Sequence, residues 1–157
     1  MYKTYLSKFK RKKMANATGY LKKLRLEAKK NLIEGEAFLK ENGMRDCVVS
    51  LPSGLQYEII VDGEGKTPKL TNSVKCFYKG TLINGTVFDS TEKRKKAASF
   101  PVNEVIPGWT EALQLMKEGS KWRLFIPSAL GYGELSVSKE IGGNATLIFE
   151  VELVSIH

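Results

Sequence analysis

The stretch Val105-Ile106-Pro107-Gly108-Trp109 decides the fold of this chain more than any other segment. Pro107 suits the first position of a helix, because the N–H that proline lacks would have no partner there. The sequence therefore predicts a short helix from Pro107 to about Met116, with Gly119 just past its end. Trp109 stands near the start of this helix, and the helix directly follows the two β-branched residues Val105 and Ile106, so three large apolar side chains lie close together in the sequence.

Further aromatic residues occur on short predicted strands or beside turns: Tyr78, Phe88, Phe100, Tyr132 and Phe149. Aromatic rings gathered from so many segments of one domain indicate a concave apolar pocket rather than only a core. Asp89 directly follows Phe88 and is the one acidic residue in this set, and such an exception usually marks function. The alternative interpretation is that the rings are ordinary core and that Asp89 serves a turn or a cap.

Short strands flank the predicted helix on both sides, because apolar and polar residues alternate there between clusters of turn residues. We expect strands over residues 55–61, 73–80, 86–89, 99–103, 121–127 and 145–156. Asn84-Gly85 is typical of a two-residue hairpin turn. This pattern predicts an α+β fold in which a curved antiparallel sheet wraps around one short helix, preceded by an N-terminal helical extension.

The helical extension is predicted over residues 18–42. Its apolar residues recur at three- and four-residue intervals: Leu21, Leu24, Ala28 and Leu32. Gly35 weakens the helix by about 1 kcal/mol relative to Ala, and Asn42-Gly43 suits its end. Because an isolated helix is marginally stable in water, the apolar row needs a partner, either the body of the protein or a second copy of the chain.

The positive charge of the chain is concentrated at its N-terminus. The formal net charge is +8 at pH 7, and residues 1–30 contain eleven Lys or Arg against the single acidic residue Glu27. We expect residues 1–17 to be a basic, flexible, solubilising arm, with residues 18–50 as helix and connector and residues 51–157 as the main domain. The alternative for the arm is contact with RNA, the ribosome or an anionic membrane surface, although nucleic acid is not the partner we favour.

The residue inventory argues against several kinds of chemistry. His157 is the only histidine, which argues against Ser-His-Asp and Cys-His mechanisms. Cys47 and Cys76 form neither a disulfide framework nor a metal-binding spacing, so we expect no metal and no cofactor. With no apolar leader or membrane-spanning run, we expect a cytoplasmic location; a periplasmic one would fit a piece of a longer protein. The functions that need none of these groups, and that therefore fit the sequence, are those of an isomerase or a binding module.

Five motifs in the order and spacing of one known family then stand out: Phe77-Tyr78-Lys79-Gly80, Gly85-Thr86-Val87-Phe88-Asp89-Ser90, Val105-Ile106-Pro107-Gly108-Trp109, Ala129-Leu130-Gly131-Tyr132-Gly133 and Ala145-Thr146-Leu147-Ile148-Phe149-Glu150-Val151-Glu152-Leu153. On these motifs, residues 54–157 resemble the FKBP-type peptidyl-prolyl cis-trans isomerases. The upstream segments Gly35-Glu36-Ala37-Phe38-Leu39 and Leu51-Pro52-Ser53-Gly54-Leu55-Gln56-Tyr57 resemble the bacterial Mip-like branch, whose members carry an N-terminal helical region.

The resemblance implies catalysis of rotation about X-Pro peptide bonds, assisting protein folding. It implies that Trp109 forms the floor under the proline ring, that Tyr132 and the backbone N–H of Ile106 hold substrate carbonyls, and that Asp89 lies at the pocket rim near Tyr78. The other substrate-binding residues that it implies are Tyr78, Phe88, Ala98, Phe100, Val105, Ile141 and Phe149. Ile141 would lie on an overhanging loop, and Ala98 stands where eukaryotic single-domain members carry an aromatic wall.

The partners implied by the resemblance are proline-containing peptides, unfolded protein clients, macrolide inhibitors with affinity reduced by Ala98, and a second copy through the N-terminal helix. Rotation about X-Pro meets a barrier of about 18–20 kcal/mol, which an apolar pocket lowers by favouring the less dipolar twisted amide. This rotation requires no proton transfer, so the presence of a single histidine does not argue against isomerase activity. The alternatives are a non-catalytic peptide-binding chaperone module on the same fold and an adaptor that uses the basic arm.

Overall fold

The computed structural model describes residues 17–157, apart from the side chains of Ala17 and Lys93. The basic arm predicted for residues 1–17 lies outside the described residues except for Ala17, which begins the first helix. The helices and strands in chain order are α1 (Ala17–Asn42), β1 (Val49–Ser50), β2 (Gln56–Val61), β3 (Ser73–Leu82), β4 (Val87–Ser90), β5 (Ala98–Pro101), α2 (Pro107–Leu113), β6 (Lys121–Ile126) and β7 (Leu147–Ile156).

The seven strands form one open antiparallel sheet in the order β1-β2-β6-β7-β3-β4, with β5 also paired to β3. β7 lies in the middle and pairs with β3 on one side and with β6 on the other. Register shifts within β2 and β3 mark irregularities of the kind that bend a sheet. The predicted α+β architecture, with one short helix against an antiparallel sheet and a helical N-terminal extension, is confirmed.

The short helix α2 packs on one side of the sheet, which we call the inner face. Gly108 makes this approach close, since a Cβ there would lie 2.8 Å from Cγ2 of Ile126 on β6. Trp109, Ala112 and Leu113 of α2 are buried between the helix and the sheet. The predicted apolar rows of the last two strands supply the other side of this core, and their residues are buried: Trp122, Leu124, Ile126, Leu147, Phe149, Val151 and Leu153.

The long helix α1 packs on the opposite side, the outer face, because successive residues of a strand point to opposite faces. Phe125, between two inner-face residues of β6, meets the ring of Phe38 of α1 with 6.1 Å between centroids. Gln56, the register partner of Phe125, donates from Nε2 to the Leu39 carbonyl at 2.8 Å and accepts from Asn42 Nδ2 at 2.9 Å. α1 therefore packs on its own domain, one of the two alternatives that the sequence left open.

Four charged side chains of alternating sign also cross the outer face, and we call them the charge row: Arg45, Glu58, Arg123 and Glu150. The distance between Nη2 of Arg45 and Oε2 of Glu58 is 2.8 Å, and Nη1 of Arg123 lies 2.6 Å from Oε1 of Glu58. Burial raises the pKa of Glu58, but hydrogen bonds from Cys47 and Arg123 and the two arginine charges outweigh it and lower that pKa overall. The carboxylate of Glu58 therefore stays ionised although the side chain is buried.

Most predicted strand boundaries differ from the structure by one or two residues, and two larger differences have a clear local cause. α2 ends at Leu113 rather than at Met116, because the N–H groups of Leu115 and Met116 both bond to the Ala112 carbonyl and close a turn there. That turn carries Met116 into the core, where it is fully buried. The β3–β4 hairpin has three loop residues instead of the two predicted from Asn84-Gly85.

The three-residue hairpin loop follows from the backbone of Gly85. The Leu82 N–H donates to the Thr86 carbonyl at 2.9 Å, which closes a loop of three residues. Gly85 has a φ of 89° while Asn84 keeps a negative one, whereas the two-residue turn predicted needs both in the left-handed region. Strand β1 was missed because its two residues are too few to show an alternating pattern. Among the described residues, no helix is both long and apolar enough to span a bilayer.

Candidate active site

Four aromatic rings from four different elements meet around α2. Trp109 lies 5.3 Å from Tyr78 of β3, 5.6 Å from Phe100 of β5 and 5.3 Å from Phe149 of β7, measured between ring centroids. The planes of these three rings are inclined by 87°, 74° and 89° to that of the indole, the edge-to-face arrangement that aromatic pairs favour. Each element therefore contributes one ring, and the indole is common to all three contacts.

A fifth ring, that of Phe88, joins this group, and both it and Phe149 lie in the space left free by Gly80. Phe88 of β4 stands at 88° to Phe149 with 5.4 Å between centroids. A Cβ at Gly80 would lie 2.6 Å from Cζ of Phe88 and 2.7 Å from Cε1 of Phe149, so a side chain there would displace both rings. Gly80 shares the inner face of β3 with Tyr78, two residues away. The five rings, which we call the ring cluster, thus depend on a glycine beneath two of them.

Four aliphatic residues and Tyr132 complete the apolar surroundings that the sequence predicted. Ala98, Val105, Ile106 and Tyr132 are half-buried and pack against the same core, and Ile141 is buried within it. Ile106 directly precedes α2, and its carbonyl accepts hydrogen bonds from Trp109 N at 2.9 Å and Thr110 N at 3.1 Å. Those two bonds hold the chain at the helix start, directly beside Trp109.

Asp89 lies at the edge of the ring cluster and is held by three donors. The hydroxyl of Tyr78 donates to Oδ2 at 2.5 Å, while Ser90 N and Arg94 Nη2 both donate to Oδ1 at 2.9 Å. Burial, followed by the hydrogen bond to Asp89 and the charge of that carboxylate, raises the pKa of Tyr78 well above its usual range. Tyr78 consequently keeps its proton and stays a donor, and the carboxylate is fixed at the rim of an apolar site.

Two residues of this corner were missed at the level of sequence. Thr91 is buried, and its hydroxyl accepts from Tyr78 N at 3.0 Å and donates to Tyr78 O at 3.2 Å, which ties the end of β4 to β3. Arg94 is not among the predicted site residues, but the 3-10 helix Glu92–Arg94 turns it back to Asp89. The sequence signal that could have identified Arg94 is its position, since it is a basic residue five positions after Asp89.

The structure brings the predicted site residues together. Ten of them belong to one apolar cluster: Tyr78, Phe88, Ala98, Phe100, Val105, Ile106, Trp109, Tyr132, Ile141 and Phe149. Asp89, the eleventh, joins them through Tyr78. Their individual roles toward a substrate stay predictions. Within residues 17–157, no group of three or more His, Cys, Asp or Glu side chains is placed to hold a metal ion.

Comparisons with known proteins agree with this geometry. The family model described as FKBP-type peptidyl-prolyl cis-trans isomerase matches residues 64–154, and the model described as the domain amino terminal to it matches residues 2–59. The crystal structure of FkpA from Escherichia coli superposes with a TM-score of 0.83 at 34% identity, covering 99% of this chain and 71% of that one.

Curated relatives are identical to this chain at about half of the aligned positions. The outer membrane protein MIP of Legionella longbeachae is 51% identical over 154 residues, which are 98% of this chain and 65% of that protein. The probable FKBP-type isomerase FkpA of Neisseria meningitidis is 47% identical over 96% of this chain and 54% of its own length. The chain spans between about half and two thirds of the length of such relatives. On the matched models and these identities, the chain belongs to the family of FKBP-type peptidyl-prolyl cis-trans isomerases.

Proposed function

We propose that this chain is an enzyme that catalyses cis/trans rotation about X-Pro peptide bonds and so assists protein folding, with the ring cluster as the site for the proline ring. The observation that carries the proposal is the meeting of Tyr78, Phe100 and Phe149 around the buried indole of Trp109, in a chain of this family. Proline has an apolar ring and no N–H, so an aromatic site binds it without leaving a buried donor unpaired.

The chemistry needs positioning and electrostatics rather than proton transfer. The planar amide is stabilised by a resonance that separates charge, and an apolar site favours the twisted amide over it. Trp109 would support the ring, while Tyr132 and the N–H of Ile106 would hold carbonyls on either side of the rotating bond. Asp89, fixed at the rim, would add a constant negative potential there. Binding that is stronger at the twisted geometry is what accelerates the rotation.

The partners follow from the same site and from the exposed side of α1. Proline-containing peptides and unfolded clients would bind the ring cluster, and macrolide inhibitors would bind there with affinity limited by the small side chain of Ala98. Leu26 and Ile33 of α1 are 60% and 59% exposed, and they lie on the side of the helix away from the domain. A second copy of the chain is the occupant that we propose for that apolar side.

The cellular compartment has two candidates. The cytoplasmic location expected from the sequence stays a prediction, while the relative named outer membrane protein MIP favours the cell envelope. Fractionation of the source cells, followed by detection of the chain with an antibody, distinguishes the two. Recovery from the cytosol supports the sequence expectation, and recovery with periplasmic or membrane markers contradicts it.

The decisive experiment compares two buried tryptophans. Trp109 is 4% exposed and Trp122 is 5% exposed, but Trp122 stacks on Tyr57 at 4.1 Å instead of joining the ring cluster. Trp109→Leu and Trp122→Leu therefore make the same truncation in the same core. In a protease-independent assay of X-Pro isomerisation in a short peptide, we expect Trp109→Leu to lower kcat/KM by about tenfold or more. Trp122→Leu should stay near the wild-type value.

Each variant is assayed at a temperature where circular dichroism shows it folded. Equal kcat/KM for the wild type and folded Trp109→Leu would contradict the assignment of the site. No acceleration by the wild type itself would favour the non-catalytic peptide-binding chaperone instead, which suppression of client aggregation would then reveal.

A further inference from the structure

The connection between β6 and β7 carries two predicted site residues, Tyr132 and Ile141, and we call residues 131–146 the overhang loop. Its two ends are joined, since Asn144 N donates to the Gly133 carbonyl at 2.8 Å. Inside it, Val137 N donates to the Ile141 carbonyl at 3.2 Å, and Ser138 Oγ accepts from Ile141 N at 3.0 Å. These internal bonds connect Ile141 to the rest of the loop, so the way in which the base of the loop is held bears on the place of Ile141.

The base of the overhang loop rests on α1. Asn31 of α1 donates from Nδ2 to the Gly143 carbonyl at 3.0 Å. In the other direction, Asn144 donates from Nδ2 to the Ala28 carbonyl of α1 at 3.3 Å. We call this reciprocal pair of hydrogen bonds the asparagine clamp. It spans more than a hundred positions of sequence and joins the helix on the outer face to a loop of the candidate site.

Small residues make the clamp sterically possible. A Cβ on Gly142 would lie 2.8 Å from Nδ2 of Asn31. A Cβ on Gly143 would be closer still to the carbonyl oxygen of Glu134 within the loop, and would also lie 3.1 Å from Cβ of Ala28 on α1. Neither glycine has a positive φ, so space rather than backbone freedom explains both. Gly142 therefore lets the loop backbone lie directly on the helix, and Gly143 fits between the helix and another part of the same loop.

Asn144 is adapted to its place in two ways. It adopts the left-handed conformation, with a φ of 56°, which asparagine tolerates better than most other side chains. Its amide reaches α1 from that conformation. On the same helix face, Gly35 meets Thr146 so closely that a side chain there would clash with the threonine hydroxyl. The overhang loop thus docks on α1 along several turns of the helix.

We propose that Asn31 and Asn144 are positioning residues, through which α1 holds the overhang loop and Ile141 in place over the site and so sets the affinity for substrate. The part concerning substrate rests on the proposed isomerase function, whereas the positioning of the loop does not. α1 is then a working part of the site, although no side chain of α1 belongs to the ring cluster.

The test uses the full chain with Asn31→Ala, Asn144→Gly and the double variant. Alanine favours the helix more than asparagine does, and glycine keeps the left-handed backbone at position 144. Neither change therefore unfolds the element that carries it. Lys29→Ala, an exposed change on the same helix, is the matched control. Hydrogen exchange of the amides of Val137, Ile141 and Asn144 reports the loop directly, and the KM and kcat of a short X-Pro peptide report its consequence.

In each single variant we expect exchange of these loop amides to quicken by about two- to tenfold, the effect of losing one ordinary hydrogen bond, and in the double variant, which loses both bonds of the asparagine clamp, by more than in either single variant. Amides of the β6–β7 ladder and the Lys29→Ala control should be unchanged. KM should rise by a similar factor while kcat changes less, because an interaction with the bound substrate is weakened rather than one special to the transition state.

Unchanged exchange in the double variant would overturn the positioning role. Faster exchange with an unchanged KM would overturn the link to substrate affinity. A wild type that fails to accelerate isomerisation would overturn the proposed function instead, and the exchange measurement would still decide whether the asparagine clamp holds the loop.

Discussion

The two helices lie on opposite faces of one sheet and contribute in opposite ways. α2 has 7 residues and buries Gly108, Trp109, Ala112 and Leu113 against the inner face. α1 has 26 residues, yet Leu26, Ile33 and Tyr20 on it stay exposed. The short helix is held by apolar packing and supplies Trp109, the ring at the centre of the ring cluster. The long one is held largely by hydrogen bonds and small residues. Burial, not length, decides how much a helix contributes to the core.

The two faces also differ in charge. On the outer face the charge row depends on an ionised carboxylate, that of Glu58, whose pKa is lowered. On the inner face, the hydrogen bond between Tyr78 and Asp89, which we call the site corner, depends on a protonated phenol, that of Tyr78, whose pKa is raised. The outer face should therefore weaken in acid and the site corner in alkali, and substitutions can separate the two.

The largest effect is expected from Glu58→Gln, which removes both ion pairs of Glu58 and leaves two guanidinium groups near each other. We expect a loss of about 2–3 kcal/mol in the free energy of unfolding, below the value for fully buried pairs because both arginines are partly exposed. The folded pKa of Glu58 lies below the ordinary value of 4.5, so its stabilisation is complete above that value and disappears as pH falls through the folded pKa.

Urea unfolding of the wild type and Glu58→Gln between neutral pH and pH 3 measures this. The difference between them should shrink in acid. Glu152→Gln, a change at an exposed carboxylate on the same face, is the control and should cost little. A difference that does not depend on pH would contradict the assigned role of the charge row.

Tyr78→Phe should cost about 1.5–2 kcal/mol, the lower part of the range for a hydrogen bond to a charged group, because the Asp89 side chain is partly exposed. The pKa of Tyr78 is raised above its ordinary value of 10.0, so the stabilisation is complete below that value and is lost as pH rises through the folded pKa. Unfolding free energies at neutral pH and at pH 9 should thus differ from the wild type by the same amount. Tyr57→Phe, at a tyrosine stacked on Trp122, should be nearly neutral at both values. A penalty that has vanished by pH 9 would count against this assignment.

Two glycine substitutions compare the helices directly. Gly108→Ala and Gly35→Ala each gain up to about 1 kcal/mol of helix propensity. At Gly108 the new Cβ would meet fully buried Ile126, so overpacking should win and leave a net loss of about 1–2 kcal/mol. At Gly35 the obstacle is the hydroxyl of Thr146, which can rotate, so the net change should stay within about 1 kcal/mol. Thermal unfolding measures both, and the reverse order would show that α1 packs more rigidly than α2.

The smallest effect on stability is expected on the exposed side of α1. Ile33→Ser should change the unfolding free energy of one chain by less than about 0.5 kcal/mol, as is usual for surface positions. In light scattering, however, the wild type should have the mass of a dimer and Leu26→Ser/Ile33→Ser that of a monomer. A monomeric wild type would contradict the proposed use of this side of the helix.

The strands and the ring cluster could be predicted from sequence because their signals are local. Trp122, Leu124 and Ile126 alternate with other residues, and the aromatic motifs stand in family order. Phe125 breaks that alternation, since it is buried on the outer face by Phe38, and only the presence of α1 makes this apolar residue necessary there.

The docking of α1 could not be predicted in the same way. Asn31 sits in an otherwise apolar helix row, and its partner is a backbone carbonyl 112 positions away. No periodicity signals a bond between an amide and a distant carbonyl. From sequence alone, Gly142-Gly143 likewise indicates only a turn, because the sequence does not show that α1 occupies the space beside the two glycines.

The central position of β7 bears on how the protein folds. All other strands precede it in sequence, yet without it the sheet falls into two parts, β1-β2-β6 and β3-β4-β5. During synthesis from the N-terminus, both parts must wait with open edges until β7 emerges, and open edges invite pairing with other chains. Pairing between β3 and β7 is also long-range, which slows folding. A protein proposed to help other chains fold is therefore itself exposed to misassembly until β7 has paired.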